Sequence, residues 1–109
     1  MEGIIVVNNE NFQDVPGFKC FKSGHPIPNQ DGLRAAKFIE QRLGNLDNDT
    51  LVLLFLSGGG SALLPYPCSN ISLKDKIKIN ELLLNCGANI KEINTVRKRG
   101  EACGIEFID

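Results

Sequence analysis

The chain has 109 residues, 42% of them hydrophobic, with 12 Lys and Arg against 13 Asp and Glu for a net charge of −1. That is one small domain, large enough for a core and too short for a second lobe, and its balanced charge gives no general pull on nucleic acid or an anionic membrane. No apolar run exceeds six residues and no basic N-terminal region leads into a hydrophobic one, so neither a transmembrane helix nor a secretory signal is expected and the predicted location is cytoplasmic.

Gly3-Ile4-Ile5-Val6-Val7 is apolar and β-branched and predicts a first strand over 3–8. A loop containing Pro16-Gly17 follows. Phe18-Lys19-Cys20-Phe21-Lys22 alternates only in part and predicts an edge strand over 18–22, ended by Ser23-Gly24. In Gly24-His25-Pro26-Ile27-Pro28 the two prolines stiffen an extended connector that presents His25 at a fixed place. A lone histidine is more often structural than catalytic, yet this one stands just past a strand end, where site residues collect. Asp31 is positioned to cap a helix over 32–43, with Leu33, Ala36, Ile39 and Leu43 as its apolar stripe, Arg34, Lys37, Glu40 and Gln41 toward water, and Gly44 as its C-terminal cap.

Leu51-Val52-Leu53-Leu54-Phe55-Leu56 has no polar alternation and predicts a strand buried on both faces, as in parallel sheets covered by helices. With the helix before it, this makes a right-handed strand–helix–strand crossover. Ser57-Gly58-Gly59-Gly60-Ser61 follows at the strand's C-terminal end, where open α/β sheets bind ligands. Three glycines allow φ > 0 and let main-chain amides approach a bound group, so with two flanking hydroxyls the loop suits a phosphate or carboxylate. The plain alternative is a tight turn that only reverses the chain.

Leu64-Pro65-Tyr66-Pro67-Cys68 cannot be helical through its prolines and is expected on the surface. Ser72 and Asp75 form a capping box opening a helix over 73–86, with Leu73, Ile77 and Leu83 inward and Gly87 as the stop. Asn89-Ile90-Lys91-Glu92 starts another helix over 90–98, whose Ile90, Ile93 and Val96 share a face. Arg97, Lys98 and Arg99 at its end ordinarily just complement the helix dipole. Cys20, Cys68, Cys86 and Cys103 are scattered, without a Cys-x-x-Cys pair, and read as reduced thiols with no metal site. The fold class is therefore α/β: a small three-layer α/β/α sandwich fragment with a mostly parallel, Rossmann-like sheet, strands near 3–8, 18–22 and 51–56, and helices near 32–43, 73–86 and 90–98.

Three common motifs fail. A Walker loop needs lysine directly after its last glycine, and Ser61-Ala62 follows Gly60. A dinucleotide fingerprint needs glycine where Leu63 stands, and the nucleophile elbow of hydrolases needs glycine at that same place, two residues past Ser61.

Gly24-His25-Pro26-Ile27-Pro28, Leu56-Ser57-Gly58-Gly59-Gly60-Ser61-Ala62-Leu63-Leu64, Ile71-Ser72-Leu73, Gly87-Ala88-Asn89-Ile90 and Glu92-Ile93-Asn94-Thr95-Val96-Arg97-Lys98 stand in an order and spacing that resembles the class II glycerate kinases. These enzymes carry a paired MOFRL domain and are often labelled hydroxypyruvate reductases. The resemblance implies transfer of the ATP γ-phosphoryl group to D-glycerate with Mg²⁺, giving 2-phosphoglycerate. It further implies that Ser57, Gly58, Gly59, Gly60 and Ser61 hold a phosphate or the glycerate carboxylate, that Arg97 supplies a catalytic cation, and that His25 is a nearby polar contact. Asn29 departs from the family, which usually has aspartate there.

Family members are several times longer, with an upstream Gly-Lys element and a second domain that closes over the substrate. After Lys98 the resemblance stops at Arg99-Gly100-Glu101-Ala102-Cys103. The expectation is a partial N-terminal kinase domain over 1–98 and a divergent tail over 99–109 of the kind a frameshift produces. Such a piece would turn over little by itself unless a missing kinase half complements it. The competing functions are an oxidoreductase of the hydroxypyruvate reductase type and a non-catalytic remnant that self-associates through exposed sheet edges.

Overall fold

The computed structural model describes residues 1–99, apart from the side chain of Ser61, so the predicted tail lies outside the described residues from 100 onward. Strands β1 (Gly3–Asn8) and β2 (Phe18–Ser23) pair in parallel, with Gly3 opposite Phe18 and Asn8 opposite Ser23. No α-helix joins them. The linking residues 9–17 hold only a 3-10 turn at Asn9–Asn11, and so short a connection suffices because a six-residue strand is about 20 Å long while an extended chain advances about 3.3 Å per residue.

Helix α1 (Gln30–Gly44) packs on the strand pair. Ala35 and Ala36 are fully buried, and their small side chains let the helix axis come close to the sheet. Beside them the Phe21 and Phe38 rings meet in a tilted pair with centroids 5.2 Å apart, a favourable aromatic geometry, with the Lys19 ammonium 5.7 Å from the Phe21 ring. Two details of the expected helix are corrected. The cap is Asn29, not Asp31, because Asn29 alone has the extended backbone that lets its side chain turn back to the Gly32 amide. The buried line runs through Gly32, Ala35 and Ala36, leaving Leu43 exposed, and Asn45 rather than Gly44 forms the C-terminal cap.

The larger correction concerns residues 51–56. They form no strand: the sheet has two strands, and Leu51, Val52, Leu53, Leu54, Phe55 and Leu56 are all exposed. A strand needs a neighbouring edge for its amides and carbonyls, and an apolar run needs a layer on each face. Among the described residues neither is present.

The run leads through the glycines into the single turn α2 (Gly60–Leu63), which touches β1. The following proline segment was expected on the surface and is not there: Pro65 is among the most buried side chains and Pro67 is buried too. Proline has no amide to leave unsatisfied, so burying it costs less than burying another loop residue.

Helix α3 (Leu73–Asn85) opens with the expected capping box, in which the Asp75 amide donates to Ser72 Oγ at 3.0 Å, and closes in a Schellman turn at Gly87, φ 78°. There the Gly87 amide reaches the Leu84 carbonyl and the Ala88 amide reaches the Leu83 carbonyl. A second reciprocal box between Asn89 and Glu92 starts α4 (Ile90–Arg99). Of the face Ile90, Ile93 and Val96, only Ile93 is buried; α4 leans on α3 along Ile93 and Arg97 instead.

Candidate functional site

The glycine loop is built from both ends. Gly59 has φ 87°, a left-handed conformation that side-chain-bearing residues rarely adopt, and it starts α2. Its carbonyl accepts from the Ala62 and Leu63 amides at 3.1 and 3.2 Å, which closes the turn. No acceptor among the described residues takes the amides of Gly58, Gly59 or Gly60, and the loop is open to solvent. These donors are thus available to an incoming anion.

His25 is brought to the same place. Its imidazole edge occupies the space where a Cβ on Gly59 would lie, with Nε2 the nearest atom, and it reaches there across a cis His25-Pro26 bond. A Cβ on Gly58, in contrast, would meet nothing within 4 Å. Of the two adjacent glycines, Gly59 is required by both backbone angle and space, and Gly58 by neither.

Arg97 is seated elsewhere, on the α3–α4 pair beside Lys76. Lys76 was not anticipated: it is buried, with 7% of its surface exposed, and its pKa falls to about 8, chiefly because burial penalises the charged form and secondarily because Arg97 repels it. A lysine amid Lys74 and Lys78 gives no hint of this in the sequence. Ser57 is exposed, and the side chain of Ser61 lies outside the described residues.

Below the loop is a support that sequence reasoning missed. Asn29 Oδ1 accepts from the Gly24 and Gly32 amides, both at 3.1 Å, tying the residue after β2 to the first turn of α1. Ser23, almost wholly buried, donates from Oγ to the Leu63 carbonyl at 2.6 Å, tying the end of β2 to the end of α2. Gly32 fits into this junction. The available signal was an Asn directly before an acidic helix start, which is a common cap.

Asn29→Ala is expected to lower the unfolding free energy by about 1–2 kcal/mol in urea denaturation followed by circular dichroism, since one cap and a second amide lose their acceptor. Asn29→Asp keeps the acceptor and adds charge at a helix N-terminus, so it should stay within about 0.5 kcal/mol of the parent. Equal losses in both variants would show that the acceptor is not what matters.

A separate cavity of about 600 Å³ lies between α1 and residues 66–73, lined by Leu33, Lys37, Cys68, Ser69 and Ser72 among others. It shares no lining residue with the glycine loop. At its edge the Tyr66 hydroxyl donates to Glu40, which together with desolvation raises the phenol's pKa.

The family described as "Domain of unknown function (DUF4147)" matches residues 1–104. A D-glycerate 2-kinase of Thermotoga maritima is 34% identical over 89% of the chain and 24% of its own length. A putative hydroxypyruvate reductase of Agrobacterium vitis is 37% identical over 90% of the chain and 22% of its own length. A crystal structure of glycerate kinase from Thermotoga maritima superposes with a TM-score of 0.81 at 34% identity, covering 91% of the chain and 24% of that protein. The chain therefore spans about a quarter of the length of the relatives it matches. With a family match over nearly the whole sequence and the same backbone in a solved relative, the chain belongs to the glycerate kinase family, through the domain that carries the serine-flanked glycine loop.

Proposed function

We propose that the glycine loop and His25 form an oxyanion cradle serving ATP-dependent phosphoryl transfer to a hydroxyl of D-glycerate, with 2-phosphoglycerate as product. The observation that carries this reading is the opening of the Gly58, Gly59 and Gly60 amides toward solvent beside the His25 imidazole. In such a transfer the bond from the γ-phosphorus to the leaving ADP oxygen breaks as the glycerate oxygen bonds to phosphorus. The protein's work is to hold the anions in line and offset their charge. Main-chain amides suit that work because their dipoles are fixed and add no proton to be managed. A phosphate or the glycerate carboxylate fits the cradle, where a side chain at Gly59 would not leave room. His25 Nε2 then offers a hydrogen bond at the cradle's edge, and Arg97 adds positive charge from the α3–α4 side.

Mg²⁺ enters this reading with the nucleotide, whose phosphates it bridges. Among the described residues no group of three His, Cys, Asp or Glu side chains is placed to hold a metal ion, so its ligands would be phosphate oxygens and water, and no step is assigned to it. Because the relatives are about four times longer, the chain by itself is expected to bind anions but to turn over little.

The test is amide chemical-shift mapping of the isotope-labelled chain with inorganic phosphate, D-glycerate and Mg·ATP in turn. Shifts should centre on Gly58, Gly59, Gly60 and His25, persist in Gly58→Ala, and vanish in Gly59→Asp, which puts a carboxylate into the cradle. No shift at the loop with any of the three ligands would sink the cradle. Phosphorylation of glycerate at a rate above the Gly59→Asp control would refute the expected inactivity. The name of the Agrobacterium relative keeps an oxidoreductase as the second reading; it requires loss of NADH absorbance with hydroxypyruvate, and none is expected.

A further inference from the structure

Residues 51–56 are the most apolar exposed surface of the molecule, with Leu51 82%, Leu53 70%, Leu54 72% and Phe55 88% exposed and Val52 and Leu56 above half. Among the described residues they enter no ladder, so their main-chain donors and acceptors are open as well. We propose that a second copy of this chain covers them, the two runs of 51–56 pairing antiparallel across a two-fold axis.

Three features favour that occupant. The run contains no charge, proline or glycine, so it can face its own copy without like-charge repulsion or a missing donor, and a net charge of −1 opposes association only weakly. Direction is set by the flanks. Exposed Asp47 and Asp49 precede the run and the uncharged Ser57-Gly58 follows it, so antiparallel pairing sets each acidic end against the partner copy's glycine end, whereas parallel pairing would stack the carboxylates. A two-fold axis also makes the contact self-complementary and closed. Size sets the strength: six side chains at roughly 60–120 Å² of apolar surface each, exposed as here, offer roughly 250–500 Å² per copy, below the 800 Å² or so of a standard stable interface. The dimer is therefore weak and depends on concentration. This inference does not depend on the kinase reading.

Sedimentation analysis of the purified chain from about 5 to 300 µM should show a monomer–dimer equilibrium with a midpoint in the tens of micromolar, as the small interface requires. Hydrogen exchange at the amides of 51–56 should slow as the dimer fills. Leu53→Lys with Phe55→Lys should weaken dimerisation at least about 30-fold while leaving the helical circular dichroism intact, since both residues are exposed in the monomer. Leu54→Pro removes a ladder donor without adding charge and should also abolish the dimer, which separates strand pairing from loose apolar contact. A monomer at the highest concentration, a dimer indifferent to both variants, or open-ended aggregates without a dimer would each overturn the proposal. So would a monomer whose 51–56 amides become protected only when the remainder of a full-length relative is added, because the occupant would then be that segment.

Discussion

Replacing Gly32 by alanine should destabilise the chain by about 2–3 kcal/mol, although alanine is the better helix former by about 1 kcal/mol. Gly32 is the third residue of α1, and a Cβ there would lie 2.7 Å from the Leu63 carbonyl oxygen and 2.8 Å from Pro65 Cδ, with Ser23 Oγ closer still. Two of those neighbours are held main chain or ring and the third donates the hydrogen bond that ties β2 to α2, so none can withdraw cheaply. The overpacking cost, typically 1–3 kcal/mol, adds to about 1 kcal/mol for the strained Ser23 bond and exceeds the propensity gain. A urea midpoint equal to or above the parent's would show that the junction has room. Because Leu63 ends the turn that Gly59 begins, the same variant should weaken phosphate-induced shifts at the loop, whereas Ser72→Ala, far from the junction, should lower stability without touching them.

The second large effect is a pH dependence set by Lys76. Its folded pKa of about 8 lies below the ordinary lysine value near 10.5. Between these values the unfolded chain still holds the proton that the folded chain has released, so folding releases a proton and rising pH favours the fold. Below about pH 8 both states are protonated and the folded state bears the full penalty of a buried cation beside Arg97. At about 1.4 kcal/mol per pH unit, the gap corresponds to a gain on the order of 3 kcal/mol from pH 7.5 to 10.5. Tyr66 has the opposite sign: its raised pKa gives stability that is present below pH 10 and lost above it, so pH 8–10 is the window in which the Lys76 rise is clearest. Lys76→Met should be more stable than the parent at pH 7.5, by roughly 1–3 kcal/mol, and should flatten the rise. A parent and variant with parallel stability curves from pH 7.5 to 10 would show that Lys76 does not carry it.

How much of this was legible depends on the range over which each residue is decided. The capping boxes at Ser72–Asp75 and Asn89–Glu92, the stop at Gly87 and strands β1 and β2 involve residues close in the sequence, and each appears as expected. The Asn29 cap was misplaced by two residues because Asp31 is an equally good acceptor; only the extended backbone of Asn29 decides between them. His25 was expected near the glycine loop, and it lies against Gly59.

Residues 51–56 show where local pattern fails. Six apolar residues state a demand for two covering layers and a neighbouring strand, and no sequence pattern states whether the rest of the chain supplies them. Composition and short-range spacing by themselves determined the α/β class, the helix starts and stops, and the glycine turn, because those follow from φ/ψ preference and side-chain-to-main-chain bonds within a few residues. The tertiary structure alone decided that Pro65 is buried, that Lys76 meets Arg97, that Gly32 seals the junction under the loop and that residues 51–56 stand uncovered, because burial depends on which distant segments arrive to exclude water.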